Sequence, residues 1–137
     1  MSKFDRDLRA YFSPRDFSTA GVAGTGSMTA TGEVIQFYKY IHIGHMVWFS
    51  FYITNITTGG TASSGLEVDA PKAPNQSNEI LHAELRDAAS GAIVPGHAFT
   101  NASNGTIDVY KSDNSNWGLG TGRLVLASGW YVTNEIG

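Results

Sequence analysis

The chain contains no cysteine among its 137 residues. Its fold therefore has no disulfide, no thiolate zinc site and no thiol nucleophile, and its stability must come from packing or from assembly. Charged residues are also scarce, at 15% of the sequence against roughly a quarter in ordinary soluble domains. The formal net charge of −3 provides no basic patch, so we expect neither nucleic acid nor an anionic membrane surface as a partner.

Long apolar runs and catalytic motifs are missing as well. No stretch of about 18 apolar residues occurs, so the sequence predicts no transmembrane helix. The N-terminus mixes charges and lacks the apolar core of a signal peptide, so we expect no Sec-type export. There is no G-x-S-x-G nucleophile elbow, and the glycines at 118, 120 and 122 are not followed by the lysine of a phosphate-binding loop. We therefore expect no enzyme activity and no cofactor.

The segment from Val34 to Thr54 carries the strongest structural signal. β-Branched and aromatic residues dominate two arms around Gly44-His45, which predicts a β-hairpin with a type II′ turn. In this register Ile41 faces Trp48, and large apolar side chains occupy both faces, whereas a half-exposed hairpin is polar on one face. We expect one face in the core and the other against a second subunit or another segment. The residues assigned to the core or to an oligomer interface are Tyr38, Tyr40, Trp48, Phe49, Phe51 and Trp130.

Strand and turn signals alternate along the rest of the chain. The predicted strands are 66–69, 80–86, 92–99, 106–110, 123–126 and 129–133, with the last two paired across Ala127-Ser128. Residues 80–87 also suit a helical turn, but their alternation of apolar residues favours a strand. About eight short strands with Gly and Asn turns predict an all-β fold, an antiparallel β-sandwich of jelly-roll type spanning residues 27–137.

Residues 1–26 have a different composition. A charged start punctuated by aromatic residues leads into the glycine-rich segment Gly21–Gly26, which predicts an extended N-terminal arm with a flexible hinge. Aromatic and arginine side chains dominate interface energetics, so we expect the arm to attach the protein to a larger assembly. The candidate attachment residues are Phe4, Arg6, Arg9, Tyr11, Phe12, Arg15 and Phe17.

Two polar regions are candidate ligand sites. Trp117, beside Asn114 and Asn116, offers a face for stacking on a sugar ring, although a loop anchored on the sandwich is the simpler interpretation. The segment from Asp113 only partly matches a calcium loop, because Leu124 stands where an EF-hand has glutamate. The chain's four histidines are His42, His45, His82 and His97. A tight turn separates the first two, and we predict no metal site.

Several short motifs resemble those of β-sandwich proteins on tailed-bacteriophage virions. They are the aromatic-x-x-I-G turn at Tyr40–Gly44, the alternating strand Met46–Thr54, the segment Ala62–Pro71, and the closing S-G-x-Y-x-T strand Ser128–Thr133. The resemblance covers roughly Thr29 to Thr133 and implies a non-enzymatic homotrimer on the virion surface, assembled in the host cytoplasm. Its expected partners are its own copies, the major capsid protein or another virion protein, and a host-surface glycan.

The absence of a long shaft distinguishes this chain from fibre proteins. No collagen-like or heptad region separates residues 1–26 from the rest. This favours a capsid decoration (cement) protein or a short head fibre attached by the arm. The alternative is a receptor- or glycan-binding module of a tail fibre or tail tip, with the loop around Trp117 as its recognition surface.

Overall fold

A computed structural model describes residues 13–137, which form one curled, antiparallel β-sheet. Its strands are β1 (Arg15–Asp16), β2 (Val22–Gly24), β3 (Met28–Thr31), β4 (Val34–Ile43), β5 (Met46–Gly60), β6 (Gly65–Asp69), β7 (Ile80–Arg86), β8 (Val94–Asn101), β9 (Thr106–Lys111) and β10 (Gly120–Val132). Within this range there is no helix. The prediction of an antiparallel all-β fold is confirmed.

The β4–β5 hairpin has the register that the sequence predicts. Ile43 pairs with Met46, Ile41 with Trp48 and Tyr40 with Phe49. Gly44 has a φ of 59°, as the first turn position of a type II′ connection requires, and glycine adopts this conformation without a steric penalty. Beyond the hairpin, β5 continues far enough to pair also with β3.

The strand order is β1-β4-β5-β10-β7-β8-β9-β6-β2, with β3 beside β5. The last strand, β10, lies between β5 and β7 and joins the N-terminal hairpin to the β7-β8-β9 meander. The curl brings strands together that are distant in this order. The buried Tyr38 hydroxyl on β4, for example, donates a 2.7 Å hydrogen bond to the Asp69 carbonyl at the end of β6. A short turn then leads from β2, at one end of the sheet, to β3 on the other side of the curl.

The concave side of the sheet holds the apolar core. Every second residue of β5, from Val47 to Ile53, is buried, and the same alternation continues on β7, where Leu81, Ala83 and Leu85 are buried. Three of the residues assigned to the core or an interface lie in this core: Tyr38, Phe49 and Phe51. Tyr40 is half-buried and packs against it.

The predicted hairpin between residues 123–126 and 129–133 is wrong. These residues belong to the single strand β10, which runs through Ala127 and Ser128 without a turn. Pairing with β5 on one side and β7 on the other explains the difference, because Ser128 lies opposite both Ser50 and His82. A strand with partners on both edges gains more backbone hydrogen bonds than two short arms paired with each other.

The glycine-rich segment is part of the folded sheet rather than a flexible hinge. Ala20 and Val22 are buried, and β2 pairs with β6 from Val22 to Gly24. A Cβ on Gly24 would lie 2.4 Å from the Met28 carbonyl oxygen, so this glycine permits a close approach of two backbones. The interpretation of residues 1–26 as an arm therefore remains a prediction only for residues 1–12, which lie outside the described residues.

Candidate interaction surface

The convex side of β4, β5, β10 and β7 carries an exposed aromatic surface, which we call the outer face. Its side chains lie in rows across the strands, set by the pairing register. The aromatic ridge consists of Ile41, Trp48 and Trp130; the serine trough beside it consists of Lys39, Ser50, Ser128 and His82. The upper row consists of Ile43, Met46 and Val132, and the lower row of Phe37, Tyr52, Leu126 and Glu84.

Two tryptophans form the centre of the ridge. Trp48 and Trp130 are directly paired across β5 and β10, with ring centroids 6.1 Å apart and ring planes tilted by 38°. Their exposed fractions are 48% and 49%. A tryptophan has on the order of 200 Å² of surface to bury, so half-exposed indoles leave a large unburied apolar area. These two residues are therefore not in the core, while their assignment to an interface stays a prediction.

The trough exists because two small residues face each other next to the tryptophans. Ser50 on β5 pairs with Ser128 on β10, and the floor they form is lower than the rows on either side. One hollow of about 140 Å³ is lined by both serines together with Phe37, Leu126 and His82. A second hollow, of about 210 Å³, lies at the β4 end beside Ile41, Trp48 and Pro14.

Charges lie only at the two margins of the outer face. At the β4 margin Lys39 forms an ion pair with Asp16 of β1. At the β7 margin the His82 ring nitrogen Nε2 lies 3.9 Å from a carboxylate oxygen of Glu84. The ridge, the upper row and the two serines between these margins are uncharged. Aromatic and aliphatic residues at the centre with charges at the rim are typical of protein-interaction surfaces.

The loop around Trp117 does not provide the ligand surface expected from the sequence. Trp117 is completely buried, so its ring has no face free for a sugar, and its backbone N–H donates to the Ser63 carbonyl. Asp87 holds the loop by accepting hydrogen bonds from the Gly118 N–H and from Arg123. The alternative interpretation, a loop anchored on the sheet, agrees with this burial.

The two asparagines of this loop are exposed. The Asn114 side-chain oxygen Oδ1 lies 2.7 Å from His97 Nε2. The backbone carbonyl of Asn116 accepts a hydrogen bond from Lys111 Nζ. Without an accessible aromatic ring between them, they do not form the stacking site that was expected.

Of the candidate attachment residues, only Arg15 and Phe17 lie within residues 13–137. Arg15 is exposed on β1, where it pairs with Tyr40. Phe17 packs edge-on against Tyr38, with centroids 5.1 Å apart, and its N–H donates to the Tyr38 carbonyl. Phe17 is therefore bound to its own domain. The other five, Phe4, Arg6, Arg9, Tyr11 and Phe12, lie outside the described residues.

Several residues of the outer face were not singled out from the sequence. The hairpin register predicted from the sequence already placed Ile41 beside Trp48. Ser50 and Ser128 gave no signal of their own, because their pairing requires β10 to lie next to β5. That adjacency joins residues far apart in the chain and was excluded by the hairpin predicted at Ala127-Ser128.

Among residues 13–137 no group of three or more histidine, aspartate or glutamate side chains could hold a metal ion. The same part of the chain contains no helix that is long and apolar enough to cross a membrane. No family model matches the sequence, and the comparisons with curated proteins and with solved structures found no significant match.

Proposed function

We propose that this protein is a non-enzymatic structural protein of a tailed-phage virion, either a capsid decoration protein or a short head fibre. The observation that carries the proposal is the outer face, in which Trp48 and Trp130 lie half-exposed on a sheet held by pairing on both sides. Large apolar surfaces with polar rims mark sites of protein interaction. The function is therefore to bind other protein subunits.

The neighbours of the tryptophans favour a protein partner. Ile41, Met46 and Val132 surround the two tryptophans with apolar surface. Aromatic residues and methionine are enriched in protein interfaces, while lysine and glutamate are depleted. A rigid sheet also binds with little loss of conformational entropy, because its side chains are already placed.

The virion context rests on the resemblance of the hairpin and the closing strand to phage surface proteins, together with the cysteine-free, charge-poor composition. Such a protein is assembled in the host cytoplasm and displayed on the particle. We assign capsid attachment to residues 1–12, with Phe4, Tyr11 and Phe12 as apolar anchors and Arg6 and Arg9 as rim contacts. Many weak contacts of this kind add to one avid attachment.

The strand order supports a fold of jelly-roll type. β7, β8 and β9 form a meander, and β10 returns to lie beside β7, which gives the order β10-β7-β8-β9. This is the arrangement of a Greek key, the unit from which jelly rolls are built. We propose that the curled sheet is a jelly-roll variant whose two halves remain joined through β10.

Immunogold labelling of intact particles of the encoding phage tests the proposal. Antibodies against the full chain should label the heads at many positions, whereas particles from which the gene has been deleted should carry no gold. Absence of labelling on purified particles that are otherwise infectious would contradict the virion role.

A receptor-binding module at the tail tip is the second candidate, and one observation favours it. The Trp48–Trp130 pair adjoins the hydroxyls of Ser50 and Ser128, for which the described residues provide no hydrogen-bond partner. Indole faces next to free hydroxyls suit a sugar ring. Gold confined to the tail tip in the same experiment would select this function over capsid decoration.

A further inference from the structure

We propose that the partner on the outer face is a second copy of this chain, packed face to face about a two-fold axis. The inference rests on the proposed function, since it names the protein that the outer face binds. The axis runs across the strands, parallel to the rows and midway between the aromatic ridge and the serine trough. This placement follows from the order of the rows rather than from their apolar character alone.

The ridge and the trough are self-complementary. Successive rows are two residues apart along each strand, which is about 7 Å, and a two-fold rotation about this axis exchanges the ridge with the trough. Trp48 of one copy then lies over Ser50 of the other, and Trp130 lies over Ser128. A ridge beside a parallel trough suits an isologous contact, in which the same surface patch of both copies is used.

The same rotation exchanges the two outer rows. Met46 on β5 then meets Tyr52 of the other copy, and Val132 on β10 meets Leu126. All four side chains are apolar or aromatic, so this exchange buries no charge. At the centre of the face, large side chains of one copy therefore meet small or apolar side chains of the other.

The charged margins are also compatible with the two-fold contact. Lys39 keeps Asp16 as its partner and lies opposite Ile41 of the second copy. The other Lys39 is one row away, about 7 Å along the strand, and it also keeps its own Asp16. Glu84 lies in the lower row and is therefore placed opposite the upper row, away from the other Glu84. Among the residues of the four rows, no two like charges lie directly opposite each other, whereas opposed like charges would weaken the contact.

Sedimentation velocity of the full chain at micromolar concentration tests the contact. The parent protein should sediment as two copies. Trp48→Ser, which removes the ridge, and Ser50→Trp, which fills the trough, should each raise the dissociation constant about tenfold or more. Leu119→Ser is the control, because Leu119 is equally exposed, at 47%, and belongs to none of the four rows. Circular dichroism spectra identical to the parent's verify that each variant is folded.

Cross-linking tests the position of the axis. Because the chain has no cysteine, Met46→Cys and Tyr52→Cys each introduce a single thiol. Packed sheets lie about 10 Å apart, so a bis-maleimide of that span should link Met46→Cys to Tyr52→Cys in a mixture. A dimer formed by either variant alone should remain unlinked. The thiols of its two copies lie three row spacings apart, about 20 Å along the strand direction.

The outcomes separate the inference from the proposed function. A parent protein that is monomeric at micromolar concentration overturns the inference, and so does a trimer, whose contacts are heterologous. Cross-links within one variant but not in the mixture overturn it as well. If the chain is monomeric and still labels virions, the inference fails while the proposed function stands. If it forms the two-fold contact and labels no virion, the proposed function fails.

Discussion

The Tyr38 hydroxyl donates a 2.7 Å hydrogen bond to the backbone carbonyl of Asp69. Tyr38 lies on β4 near one edge of the sheet, and Asp69 ends β6 near the other, so this bond joins two strands that are far apart in the sheet order. Tyr38 is only 2% exposed, and burial raises its pKa well above the ordinary value. The hydroxyl therefore stays protonated and available as a donor at physiological pH.

Tyr38→Phe should lower the free energy of unfolding by about 1 kcal/mol, because it leaves the Asp69 carbonyl without this donor. Urea denaturation measures the change. Tyr52→Phe is the matched control, since the Tyr52 hydroxyl on the outer face has no hydrogen-bond partner among residues 13–137. Equal stability of the two variants would show that the curl does not depend on this bond.

Asp87 connects the loop that buries Trp117 to the sheet. Its carboxylate lies 3.1 Å from Arg123 Nε and 2.9 Å from Lys111 Nζ, and the Asp87 and Arg123 side chains are nearly buried. Asp87→Ala should cost about 3 kcal/mol, because it leaves a buried guanidinium without its partner. Asp16→Ala, which breaks the exposed ion pair with Lys39, should cost less than about 1 kcal/mol. Thermal denaturation of both variants decides whether the buried pair is the more important one.

Substitution of Gly24 tests whether residues 21–26 are part of the sheet. Gly24→Ala should destabilise the protein by about 1–3 kcal/mol, since the new Cβ would overlap the Met28 backbone. Ala23→Ser, on the exposed side of the same strand, should change stability by less than about 0.5 kcal/mol. Unchanged stability of Gly24→Ala would restore the interpretation of this segment as a hinge.

Asp108 gives the protein a pH-dependent stability. Its carboxyl is buried on β9, and burial raises its pKa, while hydrogen bonds from Thr106 and Asn101 lower it and the nearby Glu67 raises it. Because the folded-state pKa exceeds the unfolded one, the folded state binds the proton more tightly. Asp108 therefore contributes fully to stability below its ordinary pKa of 3.8. This contribution is lost as the pH rises through the raised pKa of the folded state.

Asp108→Asn removes this titration. The variant should gain stability relative to the parent as pH increases from 4 to 7, as measured by urea denaturation at each pH. Glu67→Gln is a partial control, because it removes only the neighbouring charge. A difference between parent and Asp108→Asn that does not change with pH would show that Asp108 is not perturbed in the folded state.

The sequence predicted what local patterns determine. The hairpin register follows from the alternation of residues 34–54 and from Gly44, and both are local. The path of β10 could not be predicted in this way, because its partners lie about 80 residues earlier on β5 and 40 residues earlier on β7. The loop that contains Trp117 is held by Asp87, through Gly118, and by Ser63, and neither contact leaves a pattern near the tryptophan.

The candidate site was predictable only in part for the same reason. Alternation showed that both faces of the hairpin carry large apolar side chains. The core covers one face, while a cover for the other stays a prediction. The β5–β10 pairing then joins Trp48 to Trp130 and Ser50 to Ser128, which creates a ridge and a trough from residues that are unremarkable alone. The glycine-rich composition of residues 21–26 suggested a hinge, but the close approach of Gly24 to Met28 requires glycine for a different reason.

Quenching of tryptophan fluorescence by acrylamide, at low and high protein concentration, tests most directly whether the outer face binds another copy. The chain has three tryptophans, of which Trp117 is buried and Trp48 and Trp130 are half-exposed. At nanomolar concentration the emission of the two exposed residues should be quenched strongly, and at micromolar concentration all three should be protected, with a shift of the emission to shorter wavelength. Quenching that stays equally strong up to the highest concentration would show that the outer face remains open and would contradict the account.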